Sequence, residues 1–363
     1  MGFESFLGNE AAVSTIKGML RQRAVPGSLL FSGPDGTGKK TLAAMLARAL
    51  NCERLSDDFC GECGSCIKSG EMLDLARADL SRRREMKDAS RRVEGLVYFD
   101  VQLIEPLGRF ILIEQIRALR RTAYTHPFEL RQRVFILDEA QAIHWQAVDL
   151  LLKVMEEPPP TTTLILVCPN PNELRPTVRS RCRRVSFFPA GDSVIREILA
   201  TERKIPQAQL DLAVRVSRGS IAAAKSFDLT AYQDRRKPWV DFLNGVTSGN
   251  VQSMRAADWK ALFDSTKALS EHRADLESTL HVGYSLISDI LQELEKRERI
   301  VNIDLEPRIK KWAAKLGLEA VERLNHGLDS AYRLQVRNVN QQLGWDALAT
   351  ELVNPDFSGR ARF

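Results

Sequence analysis

Three groups of residues have the types and spacing to do chemistry. In Gly33-Pro34-Asp35-Gly36-Thr37-Gly38-Lys39, an apolar run precedes the glycines and a helical stretch, Leu42 onward, follows the lysine. Such glycines let successive backbone N–H groups turn inward around an anion, the helix N-terminus adds partial positive charge, and Lys39 can reach outer phosphate oxygens. This is a P-loop pattern, and it nominates Gly33, Gly36, Gly38, Lys39 and Thr41 as contacts for ATP or ADP. The residue after the lysine breaks the pattern. A hydroxyl is needed there to ligate Mg²⁺, and the chain has Lys40. Thr41 lies about 100° farther round the helix, a poor substitute.

Farther along, Val134-Phe135-Ile136-Leu137 runs into Asp138-Glu139. In a Walker B arrangement the first carboxylate steers the metal and the second polarises the attacking water. Solvated acids at a strand end are the bland alternative. The third group is Cys52, Cys60, Cys63 and Cys66, four soft ligands with Gly61 and Gly64 between the last three. Tetrahedral Zn²⁺ is the natural occupant, and four thiolates leave no open position, so the site is expected to be structural. An iron–sulfur centre or free thiols remain the alternatives. Cys168 and Cys182 read as buried apolar residues.

The elements that must hold these groups follow from periodicity. Short apolar runs alternate with helical stretches through the first half, giving five strands at 28–31, 98–103, 134–137, 164–168 and 185–188. The crossovers are long enough for a parallel sheet covered on both faces. Pro158-Pro159-Pro160 stops the helix before the fourth strand. After a breaker-rich 230–237 the chain becomes almost wholly helical, with spacings such as Leu276, Leu280, Tyr284 and Ile287. Residues 72–94 hold Arg82-Arg83-Arg84 and Arg91-Arg92 among acids, which reads as a solvated helix or mobile insertion, with nucleic-acid binding the sharper alternative.

Composition narrows the class. The 363 residues are 44% hydrophobic and 27% charged, the balance of a folded chain rather than a disordered or fibrous one. A net charge of +5 tolerates a nucleic-acid partner without requiring one. Neither a leader at MGFESFLGNE nor an apolar run of bilayer length is visible, so a cytoplasmic location is expected.

The stretch LDEAQAIHWQAVDLLLKVMEEPPPTTTLILVCPNPNELRPTVRSRCRRVSF resembles the AAA+ ATPases of the clamp-loader group, from Walker B to the Ser180-Arg181-Cys182 triplet. The cysteine insertion, the IEQIRAL at 113–119 and Asn338-Val339-Asn340-Gln341-Gln342-Leu343 are similar to bacterial DNA polymerase III clamp-loader subunits. The resemblance implies an α/β AAA+ P-loop domain at 1–188 with a zinc module at 52–66. A helical lid at 189–229 and a helical collar at 236–354 would follow.

By the same resemblance, Arg181 is an arginine finger that reaches a neighbour's nucleotide. Three departures touch the Mg²⁺ or γ-phosphate positions: Lys40, Pro169 at the sensor-1 place, and Ala222 at the sensor-2 place. They imply a delta-prime-like subunit rather than the ATP-hydrolysing tau/gamma motor, with Asp138 and Glu139 vestigial and its own ATPase weak or absent. The implied partners are tau/gamma and delta in a hetero-oligomer, with the β sliding clamp and primer-template DNA reached through the complex. An autonomous zinc-dependent nucleic-acid-binding protein is the remaining alternative.

Overall fold

The computed structural model describes residues 2–88, 90–249, 252–271, 276–297, 300–334 and 341–354. Two compact units emerge: Met1–Ile198 with Arg218–Lys225, and Leu199–Ser217 with Ser226–Phe363. Residues 189–229 are divided between them.

In the first unit, five strands form one parallel sheet: β1 (Ser28–Ser32), β2 (Val101–Ile104), β3 (Arg133–Leu137), β4 (Thr162–Cys168) and β5 (Arg183–Ser186), in the order β2-β3-β4-β1-β5. Every residue of β1 to β4 is buried, as expected of strands covered on both sides. Leu29, Phe31, Val134, Ile136, Ile165 and Val167 face a core shared with helices α1 (Glu10–Arg21), α2 (Lys39–Asn51) and α3 (Gly64–Glu85). Leu30, Phe135, Leu137, Leu164 and Leu166 face a second core built with α4 (Ile113–Ala123) and α5 (Trp145–Glu156). This is the parallel α/β fold, covered by helices on both faces, that the sequence predicts. The short helices α6 (Pro176–Arg179) and α7 (Asp192–Thr201) lie before and after β5.

All five strands overlap their expected spans, and the displacements of the second and fifth have identifiable reasons. The 98–103 strand begins only at Val101, because buried Asp100 accepts hydrogen bonds from the N–H groups of Phe128, Glu129 and Leu130 and pairs with Arg133 at 2.9 Å. The fifth strand is shifted to Arg183–Ser186; as an edge strand it tolerates the exposed Arg183 and Arg184.

The second unit is helical: α8 (Gln207–Ser217), α10 (Leu229–Thr247), α11 (Ala256–Glu271), α12 (Leu276–Leu294), α13 (Glu306–Leu334) and α14 (Gln341–Val353), with α9 (Ile221–Ser226) preceding α10 in the chain. The expected breaker segment 230–237 lies inside α10. Asp228 caps that helix by accepting from the Ala231 N–H, and Tyr232, Arg236, Trp239, Val240 and Leu243 form its buried stripe, which carries it through Pro238. Trp239, Trp312 and Trp345 are fully buried, and Trp239 meets Trp345 edge-on at 5.3 Å. Of the expected collar signature, 338–340 lie outside the described residues. Among those described, no helix is long and apolar enough to cross a membrane.

Candidate functional site

The P-loop leaves the carboxyl end of β1, which lies between β4 and β5, at the point where open α/β sheets place their ligands. Gly33 has φ +150°, and a Cβ there would come within 2.2 Å of the Phe187 carbonyl oxygen. Gly36 has φ +74°, and a Cβ would collide with the Ser220 hydroxyl at 1.8 Å. Neither position admits a side chain. The Gly36 carbonyl accepts from the Ala222 N–H at 3.1 Å, so the expected sensor-2 position lies against the loop.

Lys39 is 6% exposed, and its Nζ donates to the carbonyls of Gly33 (2.6 Å) and Pro34 (2.7 Å). Thr41 is exposed on the side of α2 away from the core. Lys40 points toward the strand ends: its Nζ lies 2.6 Å from Glu105 Oε1 and 3.0 Å from Asp138 Oδ2. Because Ile104 pairs with Leu137 in register, Glu105 and Asp138 terminate adjacent strands side by side. The other Glu105 oxygen takes Arg84, from the last turn of α3, at 2.9 Å. Burial alone would lower the Lys40 pKa, but the hydrogen bond that Lys40 donates to Glu105 and the attraction of Asp138 outweigh it and leave the pKa raised. Glu139, held at φ +51°, has its pKa raised by burial first and then by Asp138 and Glu105.

Glu105 and Arg84 escaped the sequence reading. Glu105 had a readable signal, an acid ending an apolar strand just as Asp138 does. Arg84 had none, since its partner is set by where α3 ends. The arginines of the 72–94 segment are used in two ways, Arg83 and Arg92 tied to backbone carbonyls and Arg82 and Arg91 paired locally at the surface. Arg82 pairs with Asp79, Arg91 lies 3.7 Å from Asp88, and Arg92 donates to the carbonyls of Met86 and Leu107. Arg83, 5% exposed, donates to the carbonyls of Arg92 and Glu94. Arg82 and Arg91 nevertheless remain largely exposed to solvent.

Arg181 follows α6 and carries its guanidinium 2.6 Å from Glu156 Oε1, at the end of α5, and 3.0 Å from the Thr177 carbonyl. It is exposed, with 35% of its side chain open to solvent. Cys168 and Cys182 are placed in or beside the second core, and burial raises their thiol pKa values to about 11 and about 12.

The sulfurs of Cys52, Cys60, Cys63 and Cys66 all lie within 4.8 Å of one another. Tetrahedral Zn–S bonds require S···S separations of about 3.8 Å, so the four can close on a metal with small adjustments. Cys52 caps the end of α2, while Cys63 and Cys66 sit at the start of α3. The Cys63 N–H donates to Cys60 Sγ at 3.3 Å, a contact that orients the sulfur and favours the thiolate. Although burial opposes ionisation of Cys63, backbone donors pull its pKa down to about 6. The donor set fits a soft or borderline metal such as zinc.

Residues 8–190, just over half of the chain, match the family model described as DNA polymerase III, delta subunit. The chain belongs to that family. Among curated proteins it is similar to the tau subunit of Bacillus subtilis (strain 168), 27% identical over 232 residues covering 62% of this chain and 36% of that protein. It is also similar to the tau subunit of Escherichia coli K12, 28% identical over 233 residues covering 62% of this chain and 32% of that protein. The chain thus spans about a third of the length of these relatives. A solved structure of a DNA polymerase III gamma subunit-related protein from Thermotoga maritima aligns with 94% of this chain and 99% of its own, at 16% identity and a TM-score of 0.47.

Proposed function

We propose that this chain is a delta-prime-like subunit of the DNA polymerase III clamp loader. In this reading it does not hydrolyse ATP itself and supplies Arg181 to a neighbouring subunit's nucleotide. The observation that carries the reading is Lys40. A motor subunit needs a hydroxyl beside Asp138 to hold Mg²⁺; here an ammonium contacts that carboxylate and Glu105. The exposed Arg181 supports the second half. A guanidinium on the equatorial oxygens of a transferring phosphoryl group is worth about 10³ to 10⁵ in rate, so a subunit can lack turnover yet remain required for its neighbour's.

Tau/gamma and delta are the proposed ring partners, with the β sliding clamp and primer-template DNA engaged through the assembly. The four cysteines hold a structural Zn²⁺ in this reading, and the loop at 33–41 keeps a cradle for ATP or ADP. A tau/gamma-type motor is the second reading, favoured by the curated relatives, whose names are tau or gamma/tau, and by the retained Asp138-Glu139 pair.

The test is reconstitution with tau/gamma and delta. Arg181→Ala should assemble normally and lower DNA-stimulated ATP hydrolysis by the complex by at least about a hundredfold at the affected site. An unchanged rate at every site overturns the proposal.

A further inference from the structure

The chemistry around Lys40 does not fit the divalent cation that a P-loop ordinarily carries with its nucleotide. Mg²⁺ demands six oxygen ligands at about 2.0–2.1 Å in octahedral geometry. A hydroxyl at the position after the P-loop lysine provides one of them; an ammonium has three donors and no lone pair, so it can provide none. The acids that should face the metal are already committed. Asp138 Oδ2 and Glu105 Oε1 lie 3.0 and 2.6 Å from Lys40 Nζ, and Glu105 Oε2 lies 2.9 Å from Arg84. A divalent ion entering there would displace a fixed positive charge or stand against it.

The phosphate-binding half of the site is intact. The N–H groups of Gly36, Thr37 and Gly38 donate to no other backbone group among the described residues, and α2 presents its own first N–H groups beside them. Lys39 Nζ has only neutral loop carbonyls and the exposed Asp35 at 3.5 Å as partners.

We propose that this P-loop binds a nucleoside di- or triphosphate without a divalent cation, the Lys40 ammonium taking the place and part of the charge of Mg²⁺. Glu105 and Arg84 are positioning residues, which hold Lys40 at the end of β3. Two lysines in succession then face the phosphate chain, one from the loop and one from the metal position. The retained burial-opposed positive charge on Lys40 is consistent with that role. The inference rests on the reading of residues 33–41 as a surviving phosphate cradle.

The experiment is isothermal titration of the full-length chain with ADP and with ATP, once in EDTA and once in excess Mg²⁺. The expected result is saturable binding with dissociation constants that agree within about threefold between the two buffers. Lys40→Ser should weaken binding in EDTA and tighten by at least about tenfold on adding Mg²⁺, while Lys40→Arg should remain indifferent to the metal. Tightening of the unmodified protein by about tenfold or more with Mg²⁺ overturns the proposal, and so does the absence of binding in both buffers. If Lys40→Ser does not fold, the unmodified protein and Lys40→Arg decide the matter alone. Either failure leaves the effect of Arg181 within the assembled complex untouched, and a failed assembly leaves these titrations unaffected.

Discussion

Lys40 has two carboxylate partners, Glu105 and Asp138, with Glu139 beside them but unpaired to it. Glu105 is buried, accepts from Lys40 and pairs with Arg84, so Glu105→Gln takes one carboxylate partner from each of two cations. A loss of about 1.5–3 kcal/mol in urea unfolding is expected. Glu139 should behave in the opposite sense. Its carboxyl pKa is raised in the folded state by burial and by its acidic neighbours, so its ionised form opposes folding at neutral pH. Glu139→Gln should therefore raise the unfolding midpoint there. The gain should shrink as pH falls below the raised folded value and be gone below the ordinary carboxylate value. At this scale the contiguous groups were legible in the sequence: Gly33 to Lys39, Asp138 and the four cysteines announce themselves by spacing. Glu105 carried the same strand-end signal as Asp138, whereas Arg84 carried none, because the length of α3 is what brings it to Glu105.

Among the elements, the β2–β3 edge is tied by the ion pair of Asp100 and Arg133, both with no exposed side-chain surface. Arg133 also donates to the carbonyls of Thr125 and His126, and Asp100 accepts from three consecutive N–H groups, so this pair fixes the whole 122–130 connection. Asp100→Asn should cost about 3–5 kcal/mol, since it strands a buried guanidinium. Burial opposes ionisation of Asp100, but its N–H donors and Arg133 prevail and depress the pKa. The stability it contributes is accordingly present above the ordinary carboxylate range and lost as pH falls through the lowered value.

Residues 72–94 show why helix-level reading falls short. A run of arginines among acids looks like a solvated face, yet Arg83 is buried because the chain folds back and offers it the carbonyls of Arg92 and Glu94. Arg83→Ala should make 86–97 the preferred site of limited proteolysis; an unaltered cleavage pattern would contradict this role. The alternation that placed five strands was dependable because burial on both faces forces apolar runs. The breaker segment at 230–237 misled because a capped, apolar-striped helix overrides the weak propensity of its polar residues.

For the whole molecule, a chain of the DNA polymerase III delta-subunit family carries a P-loop, a four-cysteine cluster and an exposed arginine. The cluster should contain about one Zn²⁺ per chain by elemental analysis, and chelation should lower the unfolding temperature, because metal binding free energy is folding free energy. Iron in place of zinc would contradict the assignment. The central claim is that the nucleotide cradle survives while the means of cleavage is gone. It is tested most directly by the steady-state Mg²⁺-ATP turnover of the purified full-length chain alone, measured beside Asp138→Ala. The account predicts the same background rate for both proteins. Robust turnover by the unmodified chain, abolished in Asp138→Ala, would contradict it.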